Sequence, residues 1–265
     1  MIYLTGDTHG DFRRVALFCD KVKSTKDDIL IILGDAGINY YGKPKDNRAK
    51  QQLSELPITL FCIHGNHEMR PESISTYEEI DWHGGKAYAE SEYPSIVFAK
   101  DGEVYELNGK RCIAIGGAYS VDKYHRLAAW GPRRIEDSLG RGEATEQVSF
   151  SPQGENEQAQ SVTTRDWWAD EQPSEEVKAI VEQWLESENQ NIDIVLSHTC
   201  PMKYIPREMF LSCVDQSSVD NSTEEWLDKI EDKLSYSQWY CGHYHTDKTI
   251  DNLRFLFEDF IELRE

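Results

Sequence analysis

The sequence predicts an α/β protein built from two packed β-sheets flanked by helices. Three observations carry this. Short β-branched or aromatic runs alternate with helical patterns over the first third of the chain. Three strand-like runs then follow one another with no helix between Ser95 and Gly117. The final segment, from Thr246 to Leu263, reads as hairpin strands around an Asp251-Asn252 turn. The first pattern requires a parallel sheet with helical crossovers, and the others require antiparallel strands.

The elements follow in order. Residues 2–5 read as a strand, and residues 11–22 as a helix with Phe12, Val15, Ala16, Phe18 and Cys19 on one face. Strand 29–33, a weaker helix 45–56 and strand 58–63 complete a β-α-β-α-β unit. Strands 96–99, 104–107 and 112–115 come next. Helix 174–188 places Val177, Ile180, Val181, Trp184 and Leu185 at helical spacing, after a Ser174 cap region. Strand 192–196 leads to helix 223–234, with Trp226, Leu227, Ile230 and Leu234 inward, and then to strands 238–241 and 253–257.

The 265 residues suit one domain spanning 1–265. Residues 136–166 break the pattern: Gly140, Gly142, Pro152, Gly154 and many Glu and Gln, with few apolar residues. They read as a solvated loop insertion, with a lid over the active cleft as the alternative. Trp130, Trp167 and Trp168 flank it and are expected in core packing rather than in stacking on a base.

The net charge is −20, from 28 basic and 48 acidic residues. Such a surface repels long nucleic acids, which need a basic footprint, and weakens a nuclease reading. A small phosphorylated substrate is compatible with it, because two divalent cations would add about +4 inside a cleft. The six cysteines form no C-x-x-C pair and read as reduced, mostly buried thiols. The N-terminal residues carry no targeting pattern, and no window approaches the roughly 20 apolar residues of a membrane span. A soluble, cytoplasmic protein is expected.

Five short motifs follow five of the predicted strands: Asp7-Thr8-His9, Gly34-Asp35, Gly65-Asn66-His67-Glu68, Ser197-His198 and Gly242-His243-Tyr244-His245. Ligands of open α/β sheets bind outside the carboxyl ends of the strands. Glycine precedes the polar residue in four of the five, at Gly6, Gly34, Gly65 and Gly242, where it would let the backbone turn sharply. Carboxylate, imidazole and carboxamide donors suit borderline divalent metals. The seven candidates Asp7, His9, Asp35, Asn66, His198, His243 and His245 are too many for one ion with an open position. They suit two ions, and a pair about 3.5–4 Å apart serves in-line displacement at phosphorus.

In this order of motifs the chain resembles the calcineurin-like metallophosphoesterase superfamily, from Asp7 to His245. The resemblance implies a four-layer αββα sandwich of two mixed sheets. It implies two divalent metal ions, manganese first, with iron, zinc or nickel as alternatives, and a metal-bridging hydroxide that attacks a phosphomonoester or phosphodiester. Asp7, His9 and His245 would hold one ion, Asn66, His198 and His243 the other, with Asp35 bridging. His67 would be the general acid or a transition-state stabiliser, and Glu68 would orient it. Asp11 would support His9 or cap the helix that follows it.

Protein phosphatases of this superfamily extend the second motif to G-D-x-x-D-R-G, whereas this chain reads Gly34-Asp35-Ala36-Gly37-Ile38-Asn39. The missing Asp-Arg pair points away from phosphoprotein substrates, whereas Glu68 resembles those phosphatases, since cyclic-nucleotide phosphodiesterases of the superfamily usually carry Asp there. Gly116-Gly117-Ala118-Tyr119-Ser120-Val121-Asp122, ending near Arg126, is either a structural turn or a cleft wall where Arg126 grips a phosphate. Tyr40, Tyr41 and Arg70 follow the metal motifs and are candidate pocket residues. The rival to an enzyme is an idle scaffold of the same fold that binds proteins, which is disfavoured by the complete ligand set.

Overall fold

A computed structural model describes residues 1–124, 126, 167–186, 192–210, 212 and 214–264. The expected 136–166 insertion, Trp130 and Cys213 lie outside the described residues.

The order of elements is β1 (Ile2–Thr5), α1 (Phe12–Val22), β2 (Ile29–Ile32), α2 (Lys45–Ser54), β3 (Thr59–Cys62), β4 (Glu78–Trp82), β5 (Gly85–Ala89), β6 (Ile96–Ala99), β7 (Val104–Leu107) and β8 (Lys110–Ile115). Then come α3 (Glu175–Glu186), β9 (Ile194–Ser197), α4 (Ser222–Glu231), β10 (Gln238–Cys241), β11 (Lys248–Ile250), β12 (Leu253–Phe255) and β13 (Ile261–Glu262). One sheet has the strand order β13-β1-β2-β3-β6-β5-β4, and the other β11-β12-β10-β9-β8-β7.

The period-two alternation of side chains sorts these elements into layers. Along β2, Ile29 and Ile31 face the other sheet, while Leu30 and Ile32 face α1 and α2 beside Val15, Phe18 and Leu53. Along β8, Cys112 and Ala114 join the inter-sheet core, while Ile113 and Ile115 pack on Val181, Leu185, Trp226 and Leu227 of α3 and α4. Both faces of both sheets are therefore covered, and the result is the expected four-layer αββα sandwich. Each fully buried Ile or Leu contributes about 1.5–3 kcal/mol, so the continuous apolar runs of β2 and β9 dominate the inner layers.

β1, β2, β3 and β6 run parallel, as do β8, β9, β10 and β12. The three runs between Ser95 and Gly117 form as expected, but they divide: β6 ends in the first sheet and β7–β8 open the second. Helix α3 is entered as expected, with Ser174 Oγ accepting from the Val177 N–H at 3.2 Å.

The β4–β5 hairpin has no counterpart in the sequence reading. Glu78-Glu79-Ile80-Asp81-Trp82 is a charged edge strand, half-buried at best, so it lacks an apolar signal. The tail also divides. Asp251, at φ 52°, turns the β11–β12 hairpin as expected, but β13 crosses to the first sheet and pairs with β1. Helix α2 buries charge: Lys50 Nζ reaches Glu90 Oε2 at 2.5 Å, with both side chains under 8% exposed. Asp11 makes no side-chain capping bond to α1. The five described cysteines are buried free thiols. Among the described residues no helix is long and apolar enough to cross a membrane.

Candidate metal centre

The carboxyl ends of β1, β2 and β3 meet those of β9 and β10 at one edge of the sandwich. The loops that leave these strands are knitted by their backbones: the His9 N–H donates to Asp35 O at 2.8 Å, and the Gly242 N–H to His198 O at 2.9 Å. Side chains complete the seam. Asp7 Oδ1 accepts from the His243 N–H at 2.8 Å, and Asp35 Oδ1 accepts from the His67 N–H at 2.8 Å. Each carboxylate thus positions the next motif with one oxygen.

The glycines act by a different mechanism from the one expected. Of the four, only Gly34 has a positive φ, at 93°. The others are there because nothing larger fits: an added Cβ would lie 2.0 Å from Asp35 Oδ1 at Gly65, 2.2 Å from Asp7 Oδ1 at Gly242, and 1.8 Å from Leu256 O at Gly6. The left-handed backbone falls on the polar residues instead. His9, Asp35, His243 and His245 have φ of 45°, 47°, 66° and 48°. Non-glycine residues held there cost on the order of 1–3 kcal/mol each, and such strain clusters at functional sites.

The seven candidate ligands come together. Asp7, His9 and His245 place one ligand atom each within 4.8 Å of one another, and so do Asp7, Asp35 and His198. His9 Nε2 lies 2.8 Å from His245 Nε2, and the two are 3.7 Å and 3.3 Å from Asp7 Oδ2. His198 Nδ1 contacts the Leu33 carbonyl at 2.8 Å, which requires it to carry the proton. Its Nε2 then presents a lone pair to Asn66 Oδ1 at 2.8 Å. The Asn66 amide nitrogen is turned away and donates to Ser120 Oγ at 2.8 Å. The His243 ring lies 5.0 Å from that of His198.

Carboxylate, imidazole and carboxamide groups of the kinds that ligate metals converge here. Asp7 Oδ2 is buried and has no hydrogen-bond partner. A buried unpaired carboxylate oxygen costs several kcal/mol unless a cation meets it, so this donor set fits divalent metal. Asp7 belongs to both groups of three, so its carboxylate stands between the His9–His245 side of the site and the Asp35 side.

Electrostatics agree with this. Burial would raise the Asp7 carboxyl, but the His245 ring nitrogen 3.3 Å from its Oδ2, with His198 and His9 nearby, holds it well below the usual range. The same contact with Asp7 raises His245. Burial pushes His243 far down, leaving a neutral imidazole able to ligate.

A cavity of about 860 Å³ opens over these residues. His67, Tyr41 and Arg126 line it, as does Tyr40. Arg126 is held by Asp122, Nε to Oδ2 at 2.6 Å, and its Nη1 reaches Tyr40 Oη at 3.3 Å. The loop from Gly116 onward is a cleft wall as well as a turn, since Tyr119, Val121 and Asp122 face the cavity. Burial, with Arg126 nearby, lowers His67 despite the opposing charge of Asp35.

Two expectations are corrected. Glu68 does not orient the His67 ring: its Oε1 accepts from the Gly65 N–H at 2.9 Å, while Glu68 Oε2 and His67 Nδ1 are both without partners. It is fully buried and holds the loop backbone, and burial together with Asp35 pushes its pKa well up. Arg70 is not in the cavity. It is 7% exposed, with Nη1 on Asp101 Oδ2 at 2.6 Å and Nε on Asp170 O at 2.7 Å, so it ties two loops together. Trp168 is buried against Tyr40, with ring centroids 5.5 Å apart, which is the expected packing role. Sequence reasoning missed Ser120 as the partner of Asn66, and missed Tyr244, Met209, Phe210 and Glu224 on the cavity wall. Only Tyr244, enclosed by two candidate ligands, carried a readable signal.

A family model described as calcineurin-like phosphoesterase matches residues 1–247, so the chain belongs to that family. A comparison with curated proteins gives no match.

Proposed function

We propose that this calcineurin-like phosphoesterase hydrolyses the mono- or diester of a small phosphorylated molecule at a pair of divalent cations. The observation that carries the reading is the convergence of the His9, His245 and His198 ring nitrogens and Asn66 Oδ1 on the buried, unpartnered Asp7 Oδ2 and its neighbour Asp35. Asp7, His9 and His245 would hold one cation and Asn66, His198 and His243 the other, with Asp35 between them. Mixed nitrogen and oxygen donors suit manganese, and iron, zinc or nickel would also bind. When bound, such a pair polarises a phosphoryl oxygen and makes hydroxide available near neutral pH.

The chain's own residues do the rest. Asp7 and Asp35 hold the His243 and His67 backbones, which fixes the angle at which both imidazoles enter the cavity. Asp122 aims the Arg126 guanidinium from the opposite wall, where it can take a phosphoryl oxygen through its fork. His67 offers a ring N–H to the leaving oxygen, and the buried ring keeps bulk water from that face.

The test is turnover of p-nitrophenyl phosphate and bis-p-nitrophenyl phosphate with added Mn²⁺. The ratio of the two separates monoesterase from diesterase. Asp35→Ala, or removal of metal with a chelator, is expected to abolish both activities. Full turnover after either change sinks the reading. An intact protein that binds no Mn²⁺ and cleaves neither compound would favour the idle scaffold.

A further inference from the structure

The cavity is much larger than the metal centre requires. Beyond His9, Asp35, Asn66, His67, His243 and His245 it extends along a wall of Tyr40, Tyr41, Tyr119, Phe210 and Tyr244. Its rim is apolar and open. Among the described residues seven large hydrophobic side chains are exposed, and three of them, Tyr41 at 56%, Val121 at 42% and Met209 at 39%, line this one cavity. Exposed apolar side chains scattered singly need no explanation, but a cluster on the wall of a cavity marks a binding surface.

The charges of the same limb are acidic. Asp122, Asp220 and Glu224 line it, but Asp122 is paired with Arg126 and burial raises the Glu224 carboxyl to about 7, so Asp220 is the carboxylate that stays charged. Arg126 and Lys45 are the only Lys or Arg among the described lining residues. Arg126 is engaged by Asp122, and Lys45 Nζ lies 4.5 Å from the centroid of the Tyr41 ring. Asp220 is kept ionised by the Ser222 and Gln172 hydrogen bonds, although burial opposes this. A second phosphoryl group placed there would meet the ionised Asp220. An uncharged ring would meet aromatic faces and edges, which favour offset stacking and edge-to-face contact.

We propose that this limb binds the uncharged aromatic ring of the substrate's organic group, so that the protein acts on esters carrying a single phosphoryl group attached to an aromatic body. This rests on the phosphoesterase reading for what is bound at the metal end. Ligand pockets of roughly 300–1,000 Å³, mostly apolar with a few placed polar groups, are the usual size for such a molecule. The ring lies on Tyr41, Val121 and Met209, and the phosphoryl group lies at the metal end under Arg126 and His67. Chains of phosphates are disfavoured by Asp220.

Phosphonates test this without chemistry. The affinities of 3-phenylpropylphosphonate and propylphosphonate are compared by calorimetry on the Mn²⁺-loaded protein. The phenyl compound should bind at least tenfold more tightly, and the ratio should fall severalfold in Tyr41→Ser/Met209→Ser, both exposed positions where a smaller polar residue leaves the core intact. A nucleoside 5′-phosphonate in parallel tells a base from a simple aryl ring, and 3-phenylpropyl diphosphate should bind more weakly than the monophosphonate. Equal affinities for the phenyl and propyl compounds, or a ratio untouched by the double substitution, overturn the proposal. Discrimination that persists in a protein with no turnover of p-nitrophenyl phosphate would instead count against hydrolysis and leave the ring-binding limb standing.

Discussion

Asn66 is fixed at both ends of its amide: Nδ2 donates to Ser120 Oγ at 2.8 Å, and Oδ1 is left facing His198 Nε2 at 2.8 Å. The serine comes from the loop after β8, in the second sheet, and the asparagine from the loop after β3, in the first. One hydrogen bond across the seam therefore decides which end of the amide faces the other candidate ligands.

Ser120→Ala should free that amide to flip. Outer partners of ligands are worth about 10–100-fold in metal affinity, and a loss in that range is expected in a Mn²⁺ titration. Ser120→Thr, which keeps the hydroxyl, should recover most of it. An alanine variant that binds Mn²⁺ like the parent protein would show that Asn66 needs no such support.

Gly242→Ala should be far more harmful than its size suggests. The new Cβ would lie 2.2 Å from Asp7 Oδ1 and 2.7 Å from Leu33 O, so the Asp7 carboxylate must move off the His243 N–H. Displacement of a catalytic group by about 1 Å costs on the order of 100-fold in rate, and kcat should drop by at least that. The contrast is Gly109→Ala, at φ 73° with nothing within 4 Å of the added carbon. It should cost about 1–2 kcal/mol of stability through its left-handed backbone and leave kcat unchanged.

The buried Lys50–Glu90 pair should behave as a unit. Breaking one half, as in Lys50→Met, strands Glu90 at 6% exposure and should destabilise by about 3–5 kcal/mol in urea unfolding. Lys50→Met/Glu90→Leu should restore much of that loss. A double variant no more stable than the single one would mean that the contact of Lys50 with the Tyr77 ring, 4.7 Å to its centroid, is the dominant interaction.

Glu224 gives the fold a pH dependence. Burial pushes its carboxyl up to about 7 from an ordinary value of 4.5, although Thr199 Oγ1 donates to it at 2.7 Å. Because the folded value is the higher one, its contribution is complete below about 4.5 and is lost as pH rises through about 7. The span corresponds to roughly 3–3.5 kcal/mol. Glu224→Gln, which cannot ionise, should lose less stability than the parent between pH 5 and pH 8.5 in urea titrations of metal-free protein. Parallel curves for the two proteins would rule this out.

The metal centre was legible because its residues stand next to buried strands. The run Ile29–Ile32 is apolar throughout, so Gly34-Asp35 stands out as the place where it stops. The same holds for Asn66 after β3 and for His198 after β9. Arg70 follows the Gly65–Glu68 motif in sequence but not in space. The chain turns away after Glu68, and Arg70 pairs with Asp101 instead. Glu68 was misread because the sequence places it beside His67 but not which way its carboxylate points.

The amino-acid sequence by itself determined the layers and marked the candidate ligands. Side-chain period and strand-end chemistry are local properties, carried by residues a few positions apart. Tertiary structure alone decided the rest: which amide end of Asn66 faces the site, which oxygen of Asp7 is left free, and which residues wall the cavity. Those depend on contacts between loops from different strands and both sheets, up to 236 positions apart for Asp7 and His243. No local pattern records them, because the atoms that meet there are brought together only when the two sheets pack.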